Sequence, residues 1–370
     1  MKHLVMLGAG HAHVHMLSTL AAQPLAGVQI TLIAPYPRQL YSGMVPGFVA
    51  GHYTLEDCVI PLGPFLENTA VTWLQRSATA LDATARTVTL DDGSTLTYDV
   101  LSINSGPVQD RQKIEQMMPG AREHALFVRP IEPFGALWPK VVAMGEKKPL
   151  RFAIIGGGAA GFELACAVVH RLPASSVTLI SGDAPVGANY PENVQVMVTR
   201  ALKGRKITVI QERVVGVAAG EVTLASGARL ACDVPVVAIG AQAPTWLQGS
   251  GLALDEQGFV SVDAFQRATC HPQVFAAGDV STRVDLTLPR SGVYAVRAGV
   301  PLAKNLRAVL AGIEPSPYTP QAKTLNLLSC GNRQAIASWG NWSAQGRWVW
   351  WLKDWIDRGF IRRYSKSRAT

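Results

Sequence analysis

Two short glycine clusters, Gly8-Ala9-Gly10-His11-Ala12-His13 and Gly156-Gly157-Gly158-Ala159-Ala160-Gly161, are the residues of this chain best suited to holding a phosphate. Each follows an apolar run, Leu4 to Leu7 and Phe152 to Ile155. A buried strand that turns at glycine into a helix brings backbone N–H groups and the helix N-terminus to a pyrophosphate. Glycine is required because a side chain would block either the phosphate or the turn. The duplication continues downstream. The first copy has Thr87 to Leu90, Asp92-Gly93, Leu96, Asp99 and Asn104-Ser105-Gly106; the second has Val222 to Leu224, Ser226-Gly227, Leu230, Asp233 and Ala238-Ile239-Gly240. Gly93 and Gly106 stand at the same spacing as Gly227 and Gly240, and each copy has a second apolar strand, Val28 to Ile33 and Val177 to Ile180. Two dinucleotide-binding folds in tandem are therefore expected.

Other reactive residue types form no obvious site. The five cysteines (Cys58, Cys166, Cys232, Cys270, Cys330) are scattered and never paired as CxxC, so neither a zinc site nor a local dithiol is written here. Cys330 is the one to watch, since it follows an expected strand, lies beside glycine and could come within reach of a flavin. His11, His13 and His15 alternate, but residues two apart on a helix point to different sides, so no metal site is expected and hydrogen bonding to a cofactor at the helix start is the better use.

The elements that would position these groups fit the composition. A chain of 370 residues exceeds what one core usually supports, and 48% hydrophobic with 16% charged residues suits a well-buried α/β protein. No apolar run approaches the roughly 18 residues that span a bilayer. Met1-Lys2-His3-Leu4 enters the first strand at once, leaving no room for a cleavable signal, which points to the cytoplasm. Residues 1–108 and 255–315 are expected to form one discontinuous domain around 109–254, and Pro315-Ser316-Pro317-Tyr318-Thr319-Pro320 to open a tail domain, 316–370.

With Val274-Phe275-Ala276-Ala277-Gly278-Asp279 late in the chain, the whole resembles the two-dinucleotide-binding flavoproteins, the pyridine nucleotide-disulfide oxidoreductase superfamily. The missing cysteine pair turns the resemblance toward type II NADH:quinone dehydrogenases and sulfide:quinone reductases. Leu40-Tyr41-Ser42-Gly43-Met44-Val45-Pro46-Gly47 and Pro289-Arg290-Ser291-Gly292-Val293-Tyr294-Ala295 also resemble the flavoprotein half fused to selenophosphate synthetase. The resemblance implies an α/β protein whose first fold binds FAD and whose second binds NADH or NADPH. It places Gly8, Gly10, His11, Ala12 and Asn104 to Gly106 along the FAD, and Gly278-Asp279 at its ribityl chain. Met44, Pro46 and Gly47 would lie against the isoalloxazine, and Gly292 to Ala295, Val293 included, would cap its far end. Gly156, Gly158, Gly161, Ser181 and Gly240 would line the second cofactor, with Glu163 catalytic near the nicotinamide. A carboxylate in the first turns of a helix is also favoured by the helix dipole alone.

Three positions depart from the family pattern: His13 replaces the third glycine, Ala34 replaces an acidic ribose ligand, and Ser181-Gly182-Asp183 has no carboxylate immediately at the strand end. The choice between NADH and NADPH stays open. The implied reaction is two-step, NAD(P)H to flavin and flavin to a quinone or other small-molecule acceptor, which needs positioning groups more than an acid–base pair. The alternatives are a sulfide- or selenide-type reductase using Cys330, and a flavin-bound redox sensor without turnover.

The tail carries a separate message. Trp348, Trp351, Leu352, Trp355 and Ile356 fall at helical spacing on one face. From Arg347 onward seven Lys/Arg stand against two Asp, a net +5 of the chain's +8, so the basic balance is local and nucleic acid is not an expected partner. Tryptophan suits a membrane interface and basic residues suit an anionic leaflet, so a surface-lying helix on the inner face of the cell membrane is expected. A homodimer is compatible with the sequence.

Overall fold

The computed structural model describes residues 1–67 and 69–365. Lys2–Leu7 pairs in parallel with Val28–Ile33 on one side and Val100–Ile103 on the other. Val71–Leu74 extends the first flank, and His271–Ala276, from late in the chain, extends the second. The eight-stranded sheet is completed by Val260–Val262, Arg267–Ala268 and Ser281–Arg283. Its central strands are buried on both faces, Leu4, Val5 and Met6 having no exposure, which is why they read as continuous apolar runs.

The second sheet repeats the plan with five parallel strands in the order Leu126–Phe127, Val234–Val237, Arg151–Ile155, Ser176–Ile180, Thr208–Ile210. Each sheet carries a three-stranded meander, Ala78–Asp82 to Thr95–Thr97 and Val214–Ala218 to Arg229–Ala231, turning at Gly93 and Gly227. The duplication is thus physical as well as sequential.

After the proline-rich linker, Leu325–Ser329, Ala335–Trp339 and Trp342–Gly346 form an antiparallel sheet, followed by the helix Arg347–Ser365. This tail has only a small core of its own, Ala335, Ala337, Val349 and Trp350. Leu328, Cys330 and Ile336 join the core beneath the second sheet, and Phe360 and Tyr364 join that of the first. The tail therefore bridges both units, its sheet packing on the second fold and its helix on the first. The outer face of the helix presents Trp348, Trp351 and Trp355 at 50%, 58% and 67% exposure, while Leu352 is half-buried. Lys366 and Arg368, part of the tail's basic count, lie outside the described residues. No helix among the described residues is long and apolar enough to cross a membrane.

Candidate active site between the two folds

Both glycine turns are built alike. Gly8 and Gly156 have φ of +84° and +135°, and a Cβ on either would strike backbone at the end of the neighbouring strand, Ser105 or Ala238. At the third position the copies diverge. A Cβ on Gly161 would collide with the Gly156 carbonyl, so helix and strand are in direct contact there. In the first fold His13 fills that place: its Nδ1–H donates to the Gly8 carbonyl (2.6 Å) and its Nε2 accepts from Ser102 Oγ (2.7 Å). Burial pushes His13 down to about 4, so the ring is neutral and structural.

The other histidines separate as helical geometry requires. Gln39 Nε2 donates to His11 Nδ1 at 2.6 Å, with the ring edge-on to Tyr41 and Phe360, and His15 Nδ1 meets Tyr364 OH at 3.0 Å. All three rings thus have a protein partner, which leaves His13 and His15 to the protein, while the His11 main chain stays open at the helix start. No metal-binding group of His, Cys, Asp or Glu occurs among the described residues.

Asn104 governs the first helix start. Its Oδ1 accepts from Ala12 N (3.0 Å) and His13 N (3.1 Å), and its Nδ2 donates to the Ala277 carbonyl (2.5 Å). The Ala12 amide is therefore taken, correcting its expected place on the cofactor. The amides of Ala9 and His11 have no protein acceptor among the described residues. In the second fold the amides of Ala159, Ala160 and Gly161 are all without one, leaving that helix start open to an anion.

A cavity of about 610 Å³ lies where the folds meet. From the first fold it is lined by Gly43, Val45 and Pro46 with Gly292 and Val293, and from the second by Ala159, Ala160 and Glu163 of that fold's helix. The tail helix closes it with Lys353, Ile356, Asp357 and Phe360. Asp279 lines it too, and among the described residues its carboxylate accepts no hydrogen bond; burial raises its pKa against the pull of Arg129 and Arg290. An unpartnered, half-buried carboxylate beside Gly278 (φ +76°) fits the hydroxyls of a ribityl chain, and open space beside Gly106 leaves room for the cofactor to pass. FAD fits this site, with Asp279, Pro46, Gly43 and Val293 as the residues that would hold its ring end. Met44 is corrected: fully buried, it packs with Leu40, Tyr53 and Cys58 behind the wall that Gly43, Val45 and Pro46 present.

Beside it a groove of about 980 Å³ is lined by Gly157, Gly158, Ser181, Tyr190, Arg290 and Lys323, among others, with no carboxylate in its lining. Ser181 Oγ is buried without a partner at the strand end, and Asp183 is engaged by Arg213 at 3.2 Å. A polyanionic dinucleotide fits such a groove. Gly240 lines neither space; Ala238 and Ile239 are the residues that meet Gly156.

Of the two candidate reactive residues, one is in the cavity. Glu163 accepts from Ser329 N at 2.7 Å, and burial raises it to about 7 although Lys353 and the Ser329 amide pull it down. Cys330 is fully buried behind Leu328, outside the cavity lining, and burial pushes its thiol up to about 12. Its backbone carbonyl and Asn332 hold Arg205 at 2.7 and 2.5 Å, a packing role. This corrects its placement at the flavin, because a nucleophilic thiol needs access and a lowered pKa.

Lys353, Asp357, Tyr41 and Arg129 line the cavity without having been singled out from sequence. Lys353 and Asp357 stand four apart on a helix, on the side away from Trp348, Trp351 and Trp355, and that spacing was the available signal. Nothing in the sequence around Arg129 marked it.

A pH signature follows from Glu163. Its folded-state pKa lies above its ordinary value of 4.5, so between about 4.5 and about 7 the native chain holds a proton that the unfolded chain releases. Stability should fall as pH rises through that window and level off above it. Glu163→Gln should abolish this component, read as a flatter Tm against pH between those limits.

The family description "Pyridine nucleotide-disulphide oxidoreductase" matches residues 2–299. An "NADH dehydrogenase-like protein" of Mycobacterium tuberculosis is 30% identical over 242 residues, covering 61% of this chain and 59% of that protein. A demethylphylloquinone reductase of Synechocystis is 24% identical over 315 residues, covering 81% and 77%. NDH2 of Plasmodium falciparum, solved in complex with NADH, superposes with a TM-score of 0.80 at 15% identity over 98% of this chain and 97% of that one, a likeness of fold. With two nucleotide folds lining one cavity and the family match spanning both, the chain belongs to the pyridine nucleotide-disulphide oxidoreductases.

Proposed function

We propose that this protein passes electrons from NAD(P)H through FAD to a quinone-type acceptor at a membrane surface. One observation carries the reading: the open helix start and Glu163 of the second fold line a single cavity together with Pro46 and Val293 of the first. A bound flavin supplies the redox chemistry there, and the residues around it position and enclose the reactants. A quinone-reducing relative supports this acceptor class. The sulfide- or selenide-type alternative loses its support with Cys330 buried in the core.

Anaerobic stopped-flow bleaching of the bound flavin tests the electron route, with NADH, NADPH and sulfide offered separately. Bleaching by a nucleotide is expected, followed by reoxidation with a soluble quinone. Cys330→Ser should alter neither rate more than about twofold; bleaching by sulfide alone, lost in Cys330→Ser, would overturn the reading.

Membrane contact is proposed through the exposed tryptophans of the tail helix, flanked by Arg347, Arg358, Arg362 and Arg363. Each basic residue near an anionic surface contributes about 1 kcal/mol, and the indole rings suit the interface. Trp348→Ser/Trp351→Ser/Trp355→Ser should lose most cosedimentation with anionic vesicles while keeping its flavin and Tm. Undiminished sedimentation would remove the helix from that role. The inner leaflet is the proposed location.

A further inference from the structure

The tail helix places an ion pair inside the cavity. Lys353 Nζ donates to Asp357 Oδ2 at 2.8 Å and to the Gly43 carbonyl at 2.8 Å, and Tyr41 OH donates to Asp357 Oδ1 at 3.2 Å. The two charged side chains are only 12% and 6% exposed. An i,i+4 pair on a helix usually sits in water and adds little stability. A buried pair is often no better than well-packed apolar residues, so stability does not explain this one. Its position does suggest a use: Lys353, Asp357 and Tyr41 line the same cavity as Asp279, Arg129 and Glu163, and Lys353 is close enough to Glu163 to act on its charge.

We propose that Lys353, held by Asp357 and Tyr41, supplies the proton that the acceptor takes up during its reduction, which makes the acceptor a two-electron carbonyl compound of the quinone type rather than a one-electron carrier. This rests on the electron route proposed above. A quinone that takes a hydride equivalent from the reduced flavin has received two electrons and one proton, and is left as an oxyanion that needs a second proton. The Lys353 N–H bond breaks, an O–H bond forms on the acceptor, and the nitrogen keeps the electron pair. A proton from water, passed by way of the Asp357 carboxylate, restores the ammonium. A one-electron metal carrier takes up no proton and has no use for such a group. Burial pulls the Lys353 pKa down, but Asp357 and Glu163 outweigh it, so the ammonium is charged and ready at rest.

The test uses the flavin-loaded protein, wild type, Asp357→Asn and Lys353→Met, each reduced with dithionite so that the nucleotide half-reaction plays no part. Reoxidation is followed with a water-soluble benzoquinone, which needs the proton, and with ferricyanide, which does not. Removal of a general acid should slow the benzoquinone arm by at least about tenfold, with ferricyanide changed by less than about twofold. Equal slowing in both arms would assign the pair to packing alone, and no change in either would also overturn the proposal. Infrared spectra of the resting protein give a readout apart from activity. Lys353→Met should convert Asp357 to a protonated carboxyl, seen as a C=O stretch that is lost in Lys353→Met/Asp357→Asn, whereas the band of protonated Glu163 stays in both variants. Absence of the Asp357 band would show that the pair does not share a proton. Failure of NADH and NADPH to bleach wild-type flavin would instead strike the electron route, while the two acceptor arms would still decide on Lys353.

Discussion

Ending the chain at Gly346 is expected to yield a protein that does not fold to a flavin-binding state. The helix Arg347–Ser365 buries Val349, Trp350, Phe360 and Tyr364 almost completely. At about 1.5–3 kcal/mol for each large apolar side chain, those four contribute about 6–12 kcal/mol, comparable with the 5–15 kcal/mol that holds a typical protein folded. The loss is greater than the apolar area implies. Tyr53 OH would lose Asp354 (2.7 Å), Tyr41 OH would lose Asp357, and His15 would lose Tyr364, leaving polar atoms exposed to a collapsing cavity. The truncated chain should express as aggregate or as a colourless protein with no cooperative thermal transition. A soluble, yellow product with a Tm within a few degrees of wild type would show that the helix is an appendage, and would confine its role to the surface it presents.

That expectation shows where sequence reading stops. The duplicated folds were legible because a parallel strand buried on both faces is apolar throughout, and because the turn that follows must be glycine wherever a Cβ meets backbone, as at Gly8 and Gly156. The tail helix was legible as amphipathic, with Trp348, Trp351 and Trp355 outward. Its inner face was not, since Lys353 and Asp357 read as solvent-facing charges until the fold places a cavity beneath them. Met44 and Pro46 lie two residues apart in one apolar segment, yet one is core and the other lines the cavity; a short 3₁₀ turn over Ser42–Met44 decides which faces where, and no side-chain pattern encodes it. Cys330 failed for the opposite reason. Its position after a strand was read correctly, but its side faces the helix Ala159–Arg171 rather than the cavity. His13 was read correctly as a break in the glycine pattern. What it gains, a buried hydrogen-bonded bridge from Gly8 to Ser102, required the neighbouring strand to be seen.

Asn104 is expected to be the most sensitive single position of the first fold. It is one residue with three buried partners: two amides of the first helix start and the carbonyl that precedes Gly278-Asp279. Asn104→Ala leaves all three unsatisfied, at about 1–3 kcal/mol each, or about 3–9 kcal/mol in all. For a chain of this size that corresponds to a fall in Tm of about 4–12 °C. The cofactor should feel it as well, because Asn104 ties the helix start, the proposed pyrophosphate site, to the strand end that carries Asp279, the proposed ribityl ligand. Asn104→Asp separates the two effects. A carboxylate still accepts from Ala12 N and His13 N, so the helix start keeps its cap. It has no donor for Ala277, and it sets a negative charge beside the place an anionic cofactor must occupy. Its Tm without flavin should lie well above that of Asn104→Ala, yet its flavin-to-protein ratio, read from absorbance, should be equally low. If Asn104→Ala instead keeps a full complement of flavin and a Tm within about 2 °C of wild type, the tie between helix start and strand end is made by other contacts, and Gly278-Asp279 is held by the sheet alone.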